Sequence, residues 1–159
     1  MIKNVIIKKL TKNLDDRGWL SEVWRSDELN GFTPEMCYVS ATKPGVIRGP
    51  HEHVKQSDCF VFLGPGTFEL HLWDHRDGVN RADLSVSPTA GNYLKLAVGA
   101  DDPTLVIVPP GVVHGYKNIS AVDALSINLP NKLYAGKDKK EEVDEIRWEK
   151  NPSSPYKIN

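Results

Sequence analysis

The sequence predicts an all-β protein, built as a sandwich or barrel of short strands. Short segments that alternate between apolar and polar residues, or run apolar, recur along most of the chain. Glycine, proline, asparagine and aspartate separate them. Eleven prolines and twelve glycines also argue against long helices. Evenly spaced short strands of this kind favour a sandwich or barrel over alternating strands and helices.

The individual strands follow from this apolar periodicity. In chain order they are residues 5–10, 20–26, 35–41, 59–64, 66–74, 93–99, 105–109, 114–119 and 124–130. In the segment 66–74 we expect the even-numbered side chains from Phe68 to Asp74 on one face and the odd-numbered ones on the other. Only two stretches could be helical, residues 26–32 and residues 137–150.

Length and composition indicate one ordinary domain without a basic surface. The 159 residues can bury a real core, which we place in a domain of residues 1–150, with a polar tail over 151–159. A net charge of −1 gives no field that would favour nucleic acid. The apolar runs are too short to span a bilayer, and Cys37 and Cys59 give no disulfide framework. No apolar stretch of signal-peptide length follows Met1. We therefore expect a cytoplasmic protein with free thiols that binds neither nucleic acid nor membrane.

Two stretches of the sequence concentrate chemistry-bearing residues. In RGPHEHVKQSDCF, His51 and His53 are two residues apart, so they point to the same side of an extended strand. In PPGVVHGYKN, a proline–glycine turn precedes His114. In order and separation, these stretches resemble the two motifs of the cupin superfamily. The resemblance implies an all-β, single-domain cupin jelly roll, a double-stranded β-helix, with one short C-terminal helix or loop.

A narrower resemblance covers most of the chain. The dTDP-4-dehydrorhamnose 3,5-epimerase family is similar in DDRGWLSE (15–22), GVIRGPH (45–51), the stretch 66–76, VPPGVVHGY (108–116), Tyr134 and EIRWE (145–149). Its members are cupin homodimers that use no metal. They remove protons beside the C4 ketone of a nucleotide-bound 4-keto-6-deoxyhexose and return them on the opposite face. The resemblance implies a homodimeric epimerase that binds a nucleotide-diphosphate sugar and needs no cofactor.

The resemblance also assigns roles to individual residues. His51 matches the family's catalytic base and His114 its second pocket histidine. Histidine suits this role because its ordinary pKa lies near neutral pH, where such a base contributes typically about 10²–10⁴-fold. The implied substrate contacts are Arg17, Glu22, Arg48, His53, Asn128 and Tyr134. Of these, Arg48 would lie at the sugar and diphosphate and Tyr134 against the nucleobase. His53 stands where the epimerases usually carry glutamine.

Three positions depart from the family pattern. The family's acid, a tyrosine, corresponds to Asn128, and its enolate-stabilising lysine corresponds to Cys59, so Lys55 or another donor must serve. The C-terminal S-x-K-D, whose aspartate orients the catalytic histidine, has no match in SSPYKIN. These departures favour one-site epimerisation or ketoisomerisation over double epimerisation. Related small cupins that interconvert 3-keto and 4-keto sugars carry a pattern similar to Arg48, His51, His53 and Gln56.

Two other classes of protein remain open. A metal-binding cupin, acting as a dioxygenase, a phosphosugar isomerase or a sensor, would hold Fe, Mn, Ni or Zn with His51, His53, Asp58 and His114. Arg48 disfavours this reading because it would put positive charge near the cation. The other class is a non-catalytic relative that binds sugar nucleotides. We expect His71 and His75 to be ordinary surface or edge residues.

Overall fold

The computed structural model describes residues 1–159, apart from the side chain of Asn30. Helix in this part is limited to single 3-10 turns at Leu29–Gly31, Lys137–Lys139 and Trp148–Lys150. None of the described helices is long and apolar enough to cross a membrane. The strands are β1 (Ile6–Lys9), β2 (Asn13–Asp15), β3 (Gly18–Leu20), β4 (Tyr38–Thr42), β5 (Ile47–Glu52), β6 (Asp58–Phe62), β7 (Thr67–Asp74), β8 (Tyr93–Gly99), β9 (Thr104–Val108), β10 (Val112–Asn118), β11 (Ala124–Asn128) and β12 (Ile146–Arg147).

The strands form a jelly roll of two five-stranded antiparallel sheets. One sheet has the order β1-β9-β6-β11-β4, the other has the order β12-β5-β10-β7-β8, and β2 and β3 form a separate hairpin. Aromatic side chains from both sheets meet in the core, where the rings of Phe68 and Tyr116 are 4.9 Å apart and those of Phe62 and Tyr116 are 5.6 Å apart. The predicted all-β jelly roll is confirmed.

Strand β7 has the predicted alternation of faces. Its even-numbered side chains are buried in the core, where Phe68, Leu70 and Leu72 are fully inaccessible. Most of its odd-numbered side chains are partly exposed. The strand therefore packs one face on the opposite sheet, as period-two alternation predicts.

His71 and His75 are buried, so the expectation that they lie at the surface was wrong. His71 lies between the Glu69 carboxylate and the Tyr93 hydroxyl, at 2.9 and 2.7 Å. His75 Nδ1 lies 2.9 Å from the fully buried carboxylate of Glu52. Tyr93 and Glu52 belong to other strands, so the sequence pattern around each histidine does not reveal this burial.

Some predicted elements take a different form. Of residues 20–26, only Leu20 lies in a strand, as the last residue of the β2–β3 hairpin. Instead of longer helices, the stretch 26–32 contains one 3-10 turn and the stretch 137–150 contains two. In the second stretch, Ile146 and Arg147 instead pair with β5. Backbone pairing to an open sheet edge outweighs the weak helical pattern there.

A bulge in β5 determines which side chains share its inner face. His114 of β10 pairs with His51, and Tyr116 pairs with Arg48, so a step of three residues in β5 matches a step of two in β10. This extra residue brings Arg48 and His51 to the same face, although residues three apart in a regular strand point to opposite faces. Gly49 adopts a φ of +78° in the bulge, and a Cβ there would lie 2.8 Å from the carbonyl oxygen of His114.

The C-terminal residues pack against the outer face of the same sheet. The ring of Tyr156 lies 5.0 Å from that of Trp148 and 5.6 Å from that of Trp73. The Trp148 indole donates a 3.1 Å hydrogen bond to Glu52, whose carboxylate also accepts a 2.6 Å bond from Arg81. These contacts cover the face of β5 opposite to its histidines.

Candidate active site

A cavity of about 1060 Å³ opens between β5 and the C-terminal loop. Its walls are His51, the segment 53–56 after β5, Tyr38 at the start of β4, and much of the segment 130–147. Small-molecule sites typically measure about 300–1,000 Å³. The cavity is therefore large enough for a ligand of the size of a sugar nucleotide.

Three imidazole rings meet beside this cavity, and two of them, His51 and His53, line it. His51 and His53 point to the same side, as predicted, and His114 comes from the neighbouring strand β10. The ring centroid of His114 lies 4.5 Å from that of His51 and 5.8 Å from that of His53. The side chain of His51 is 17% exposed and that of His114 is 1% exposed. His51 is therefore more accessible to a ligand than His114.

Asp58, the first residue of β6, fixes two of these rings. Its side chain is 1% exposed, and its Oδ2 lies 3.1 Å from Nε2 of His53 and 3.1 Å from Nε2 of His114. Its Oδ1 accepts hydrogen bonds from the amides of Gln56 and Asn128, at 2.8 and 3.0 Å. Both carboxylate oxygens are thus satisfied by protein donors, which is how a buried carboxylate is stabilised.

The buried charge of Asp58 sets the pKa values around it. Burial opposes ionisation of Asp58, but hydrogen bonds with His114 and His53 hold the pKa of its carboxyl well below the usual range. Burial also disfavours the charged form of His53, yet its hydrogen bond and attraction to Asp58 raise its pKa to about 9. Burial, followed by repulsion from His114 and His53, lowers the pKa of His51 well below its ordinary value. At neutral pH, His51 is a neutral imidazole beside a cationic His53.

Asp144 and Glu145 connect the C-terminal loop to the histidines. The Asp144 carboxylate accepts hydrogen bonds from the backbone N–H groups of residues 54–56, at 2.9, 2.8 and 2.8 Å. Its carbonyl oxygen accepts a hydrogen bond from Nδ1 of His53. Oε1 of Glu145 lies 3.8 Å from Nδ1 of His51. Neither acid was predicted as a site residue, because the residues they contact lie far away along the chain.

Asn128 stands at the centre of a further hydrogen-bond chain. Its Oδ1 accepts the backbone N–H of Cys59 at 3.1 Å, and its Nδ2 donates to Oδ1 of Asp58 at 3.0 Å and to the Tyr38 hydroxyl at 2.9 Å. Cys59 is fully buried, and burial raises the pKa of its thiol to about 12. Cys59 is therefore a neutral thiol, without the positive charge of the lysine that the family carries at this position. Tyr38 was not among the residues we predicted.

The other predicted residues lie farther from the histidines. Tyr134 lines the cavity and is 52% exposed. Arg48 shares a face of β5 with His51, but its guanidinium donates to Oγ1 of Thr42 and to the carbonyl oxygen of Ala41, both at 2.8 Å. Hydrogen bonds to these neutral oxygens leave the positive charge of Arg48 in place, but they direct its guanidinium toward β4.

Arg17 and Glu22 lie outside the cavity walls. Arg17, in the turn between β2 and β3, pairs with Asp15 at 2.5 Å. Glu22 follows the same hairpin and pairs with Arg25 at 3.4 Å. Within one chain, the structure therefore brings the histidines and Asn128 together but keeps these two residues apart from them.

The histidine cluster also has the donor set of a metal site. One donor atom from each of His51, His53, Asp58 and His114 lies within 4.8 Å of the others. Imidazole and carboxylate ligands suit Zn, Fe and Mn. However, protein donors already occupy both carboxylate oxygens of Asp58, and both ring nitrogens of His53 are engaged, by Asp58 and by the carbonyl oxygen of Asp144. The donors fit a metal in type and proximity, whereas their hydrogen bonds to one another fit a cluster without a metal.

A jelly roll with clustered histidines from β5 and β10 beside a cavity is the arrangement of a cupin. The family model for dTDP-4-dehydrorhamnose 3,5-epimerase matches residues 1–151, and the chain belongs to this family. The resemblance seen in the sequence is thereby confirmed.

Individual relatives agree with this assignment. The chain is 36% identical over 143 residues to a probable low-salt glycan biosynthesis epimerase, Agl13, of Haloferax volcanii, covering 89% of this chain and 86% of that protein. It is 38% identical over 119 residues to the spore coat polysaccharide biosynthesis protein SpsL of Bacillus subtilis, covering 74% and 72%. A dTDP sugar isomerase from Desulfovibrio desulfuricans shares the fold, with a TM-score of 0.80 at 19% identity over 98% of this chain and 91% of that one. The protein is therefore an enzyme of the epimerase and isomerase class.

Proposed function

We propose that this enzyme acts on a nucleotide-linked 4-keto-6-deoxyhexose and, without a metal, removes a proton beside the C4 ketone with His51 as the base. The observation that carries the proposal is the contrast between His51 and its neighbours. His51 lines the cavity with a lowered pKa, whereas His53 and His114 are held by Asp58. An accessible neutral imidazole is the form of histidine that can accept a proton.

Removing this proton places negative charge on the C4 oxygen, which needs a donor. Each such donor is worth roughly 10²–10³-fold in rate. We assign this role to Lys55, which lines the cavity and whose backbone N–H is held by Asp144. Lys55 would replace the family's lysine, whose position is Cys59 in this chain.

The nucleotide end of the substrate would lie along the C-terminal loop. Tyr134 is an exposed aromatic residue in this wall and suits stacking on a nucleobase. Arg48 would bind the diphosphate after releasing Thr42, because a guanidinium forms paired, charge-assisted hydrogen bonds with phosphate oxygens.

Arg17 and Glu22 would complete the site as part of a homodimer. The hairpin that precedes Glu22 exposes apolar side chains, of which Leu14 is 82%, Leu20 is 65% and Trp19 is 48% accessible. Leu14 and Trp19 pair across the hairpin, and neighbouring exposed apolar side chains of this kind mark interaction surfaces. We propose that the hairpin packs on a partner subunit and carries Arg17 and Glu22 to the partner's cavity.

The product would be a sugar inverted at one carbon, or a keto sugar whose carbonyl has moved between C4 and C3. Asn128 cannot supply the proton that the family's tyrosine returns to the opposite face, which makes full double epimerisation less suited to this site. Agl13 and SpsL are named for glycan biosynthesis and spore coat polysaccharide biosynthesis, and we propose a similar use for this product. The free thiols of Cys37 and Cys59 fit a reducing cytoplasm.

Loss of the base is the direct test of this proposal. With dTDP-4-keto-6-deoxyglucose as the probe, His51→Asn should lower the rate of sugar isomerisation by about 10²–10⁴-fold. His71→Asn removes a buried histidine outside the cavity and controls for the loss of a histidine as such. Isomerisation by His51→Asn at a rate near that of the wild type would show that His51 is not the base. Binding of the probe without any isomerisation by the wild type would indicate the non-catalytic class.

The proximity of His51, His53, Asp58 and His114 favours a metal-binding cupin as the second candidate function. Such a protein would hold Zn, Fe or Mn on these side chains, and the ion would act as a Lewis acid. Elemental analysis of the purified protein separates the two candidates. A stoichiometric transition metal would support the second, and its absence from an active preparation would support the first.

A further inference from the structure

The Tyr38 hydroxyl lies beside the residue that replaces the family's acid. Tyr38 of β4 pairs directly with Asn128 of β11, and the Asn128 amide donates to the Tyr38 oxygen at 2.9 Å. A phenol therefore lies within one hydrogen bond of position 128, although it is attached to the neighbouring strand.

Asn128 is held in one orientation. Its Oδ1 accepts the backbone N–H of Cys59, so its Nδ2 must face Asp58 and Tyr38. Because the Tyr38 oxygen accepts this bond, its own hydrogen remains to be donated. Among the side chains that the structure describes, none accepts a hydrogen bond from the Tyr38 hydroxyl.

The surroundings of Tyr38 suit proton donation into the cavity. Tyr38 lines the same cavity as His51 and is 43% exposed. Burial of its ring, with repulsion from Asp58, raises the pKa of the hydroxyl to about 12, despite the opposing hydrogen bond from Asn128. The phenol therefore carries its proton at neutral pH.

We propose that Tyr38 is the catalytic acid of this enzyme, an inference that rests on the proposed function above. His51 takes the proton from the carbon beside the ketone, and the electrons of the broken C–H bond form the enolate. Tyr38 then gives its proton to a carbon of the enolate, and the C–H bond forms as the O–H bond breaks. The tyrosinate regains a proton from water and His51 releases one to water, so no oxidant or reductant is needed.

The test separates proton removal from proton return. Wild type, Tyr38→Phe and Tyr93→Phe are incubated with dTDP-4-keto-6-deoxyglucose in deuterated water, and both labelled substrate and isomerised product are measured. Tyr38→Phe should form product at least about 10²-fold more slowly. It should still introduce deuterium into recovered substrate at a rate within about tenfold of wild type, because His51 can return a deuteron to the face it deprotonates. Tyr93→Phe removes a phenol from the outer face of β8 and should match the wild type in both measurements.

Each alternative outcome has a distinct meaning. Product formation by Tyr38→Phe within about threefold of wild type would overturn the assignment of the acid. Equal loss of exchange and product, in a variant whose thermal midpoint stays within about 4 °C of the wild type, would also overturn it. If the wild type neither exchanges nor isomerises the probe, the proposed function itself fails, and the role of Tyr38 falls with it.

Discussion

Oδ2 of Asp58 lies 3.1 Å from Nε2 of His114, and neither side chain is more than 1% exposed. A charge this deeply buried is stable only while its hydrogen-bond partners remain. The pair joins β6 of one sheet to β10 of the other, behind the histidines that line the cavity. The stability of the core and the geometry of the site therefore depend on the same carboxylate.

Replacement of Asp58 should be costly to stability. Asp58→Asn removes the buried charge and places an amide N–H₂ in place of one carboxylate oxygen, each of which accepts two hydrogen bonds, so it should lower the free energy of unfolding by about 3–5 kcal/mol. Asp102→Asn removes an exposed partner of Lys9 and should cost less than about 1 kcal/mol. Urea denaturation of both variants measures the difference, and equal costs would contradict the role of Asp58.

The stability contributed by His53 should depend on pH in a defined direction. Its folded pKa of about 9 lies above the ordinary value of 6.5, so the contribution is complete below pH 6.5 and is lost as the pH rises through 9. The difference in free energy of unfolding between wild type and His53→Gln should therefore be larger near about pH 6 than near about pH 10. A difference that stays constant or grows with pH would show that His53 is not paired as a cation.

The rate of proton removal should persist to mildly acidic pH. The pKa of His51 is lowered by burial and by His114 and His53, so the base stays neutral as the pH falls through its ordinary value of 6.5. In a profile of kcat/KM against pH, the acidic limb should lie below pH 6.5, because this limb reports the base of the free enzyme. An acidic limb above 6.5 would mean that another group is the base or that His51 gains a carboxylate partner.

The bulge at Gly49 should be needed for the alignment of the histidines. Gly49→Ala would place a Cβ 2.8 Å from the carbonyl oxygen of His114 and 3.1 Å from Nδ1 of His51. Because small misplacements of catalytic groups are costly, the isomerisation rate should fall on the order of 10²-fold. Gly45→Ala is the matched control, since Gly45 has a similar φ of +73° but open space around it. Both substitutions should cost about 1–2 kcal/mol of backbone strain. Equal isomerisation rates in the two variants would contradict this account.

The fold and the histidines were predictable because their signals are local. Alternation along residues 66–74 gave the buried face of β7, and the spacing of His51 and His53 gave their common direction. The proline–glycine turn before His114 indicated the second strand of the site. Period-two patterns survive in the structure because each strand has one face on the core.

The remaining parts of the site depend on contacts between distant segments. Tyr38 meets Asn128 only because β4 pairs with β11, and Asp144 meets the loop after β5 only because β12 adds to that edge. The bulge that turns Arg48 toward the face of His51 is likewise set by pairing with β10. Register between strands is fixed by tertiary packing, so no local pattern in the sequence encodes these neighbours.

The central claim, proton abstraction without a metal, is tested most directly by solvent deuterium exchange in chelated enzyme. The protein is dialysed against EDTA, shown by elemental analysis to hold no transition metal, and incubated with dTDP-4-keto-6-deoxyglucose in deuterated water. We predict that deuterium appears on a carbon beside the C4 ketone, at the same rate as before chelation, and that His51→Asn abolishes this exchange. Exchange that disappears on chelation and returns with added Zn, Fe or Mn would contradict the claim.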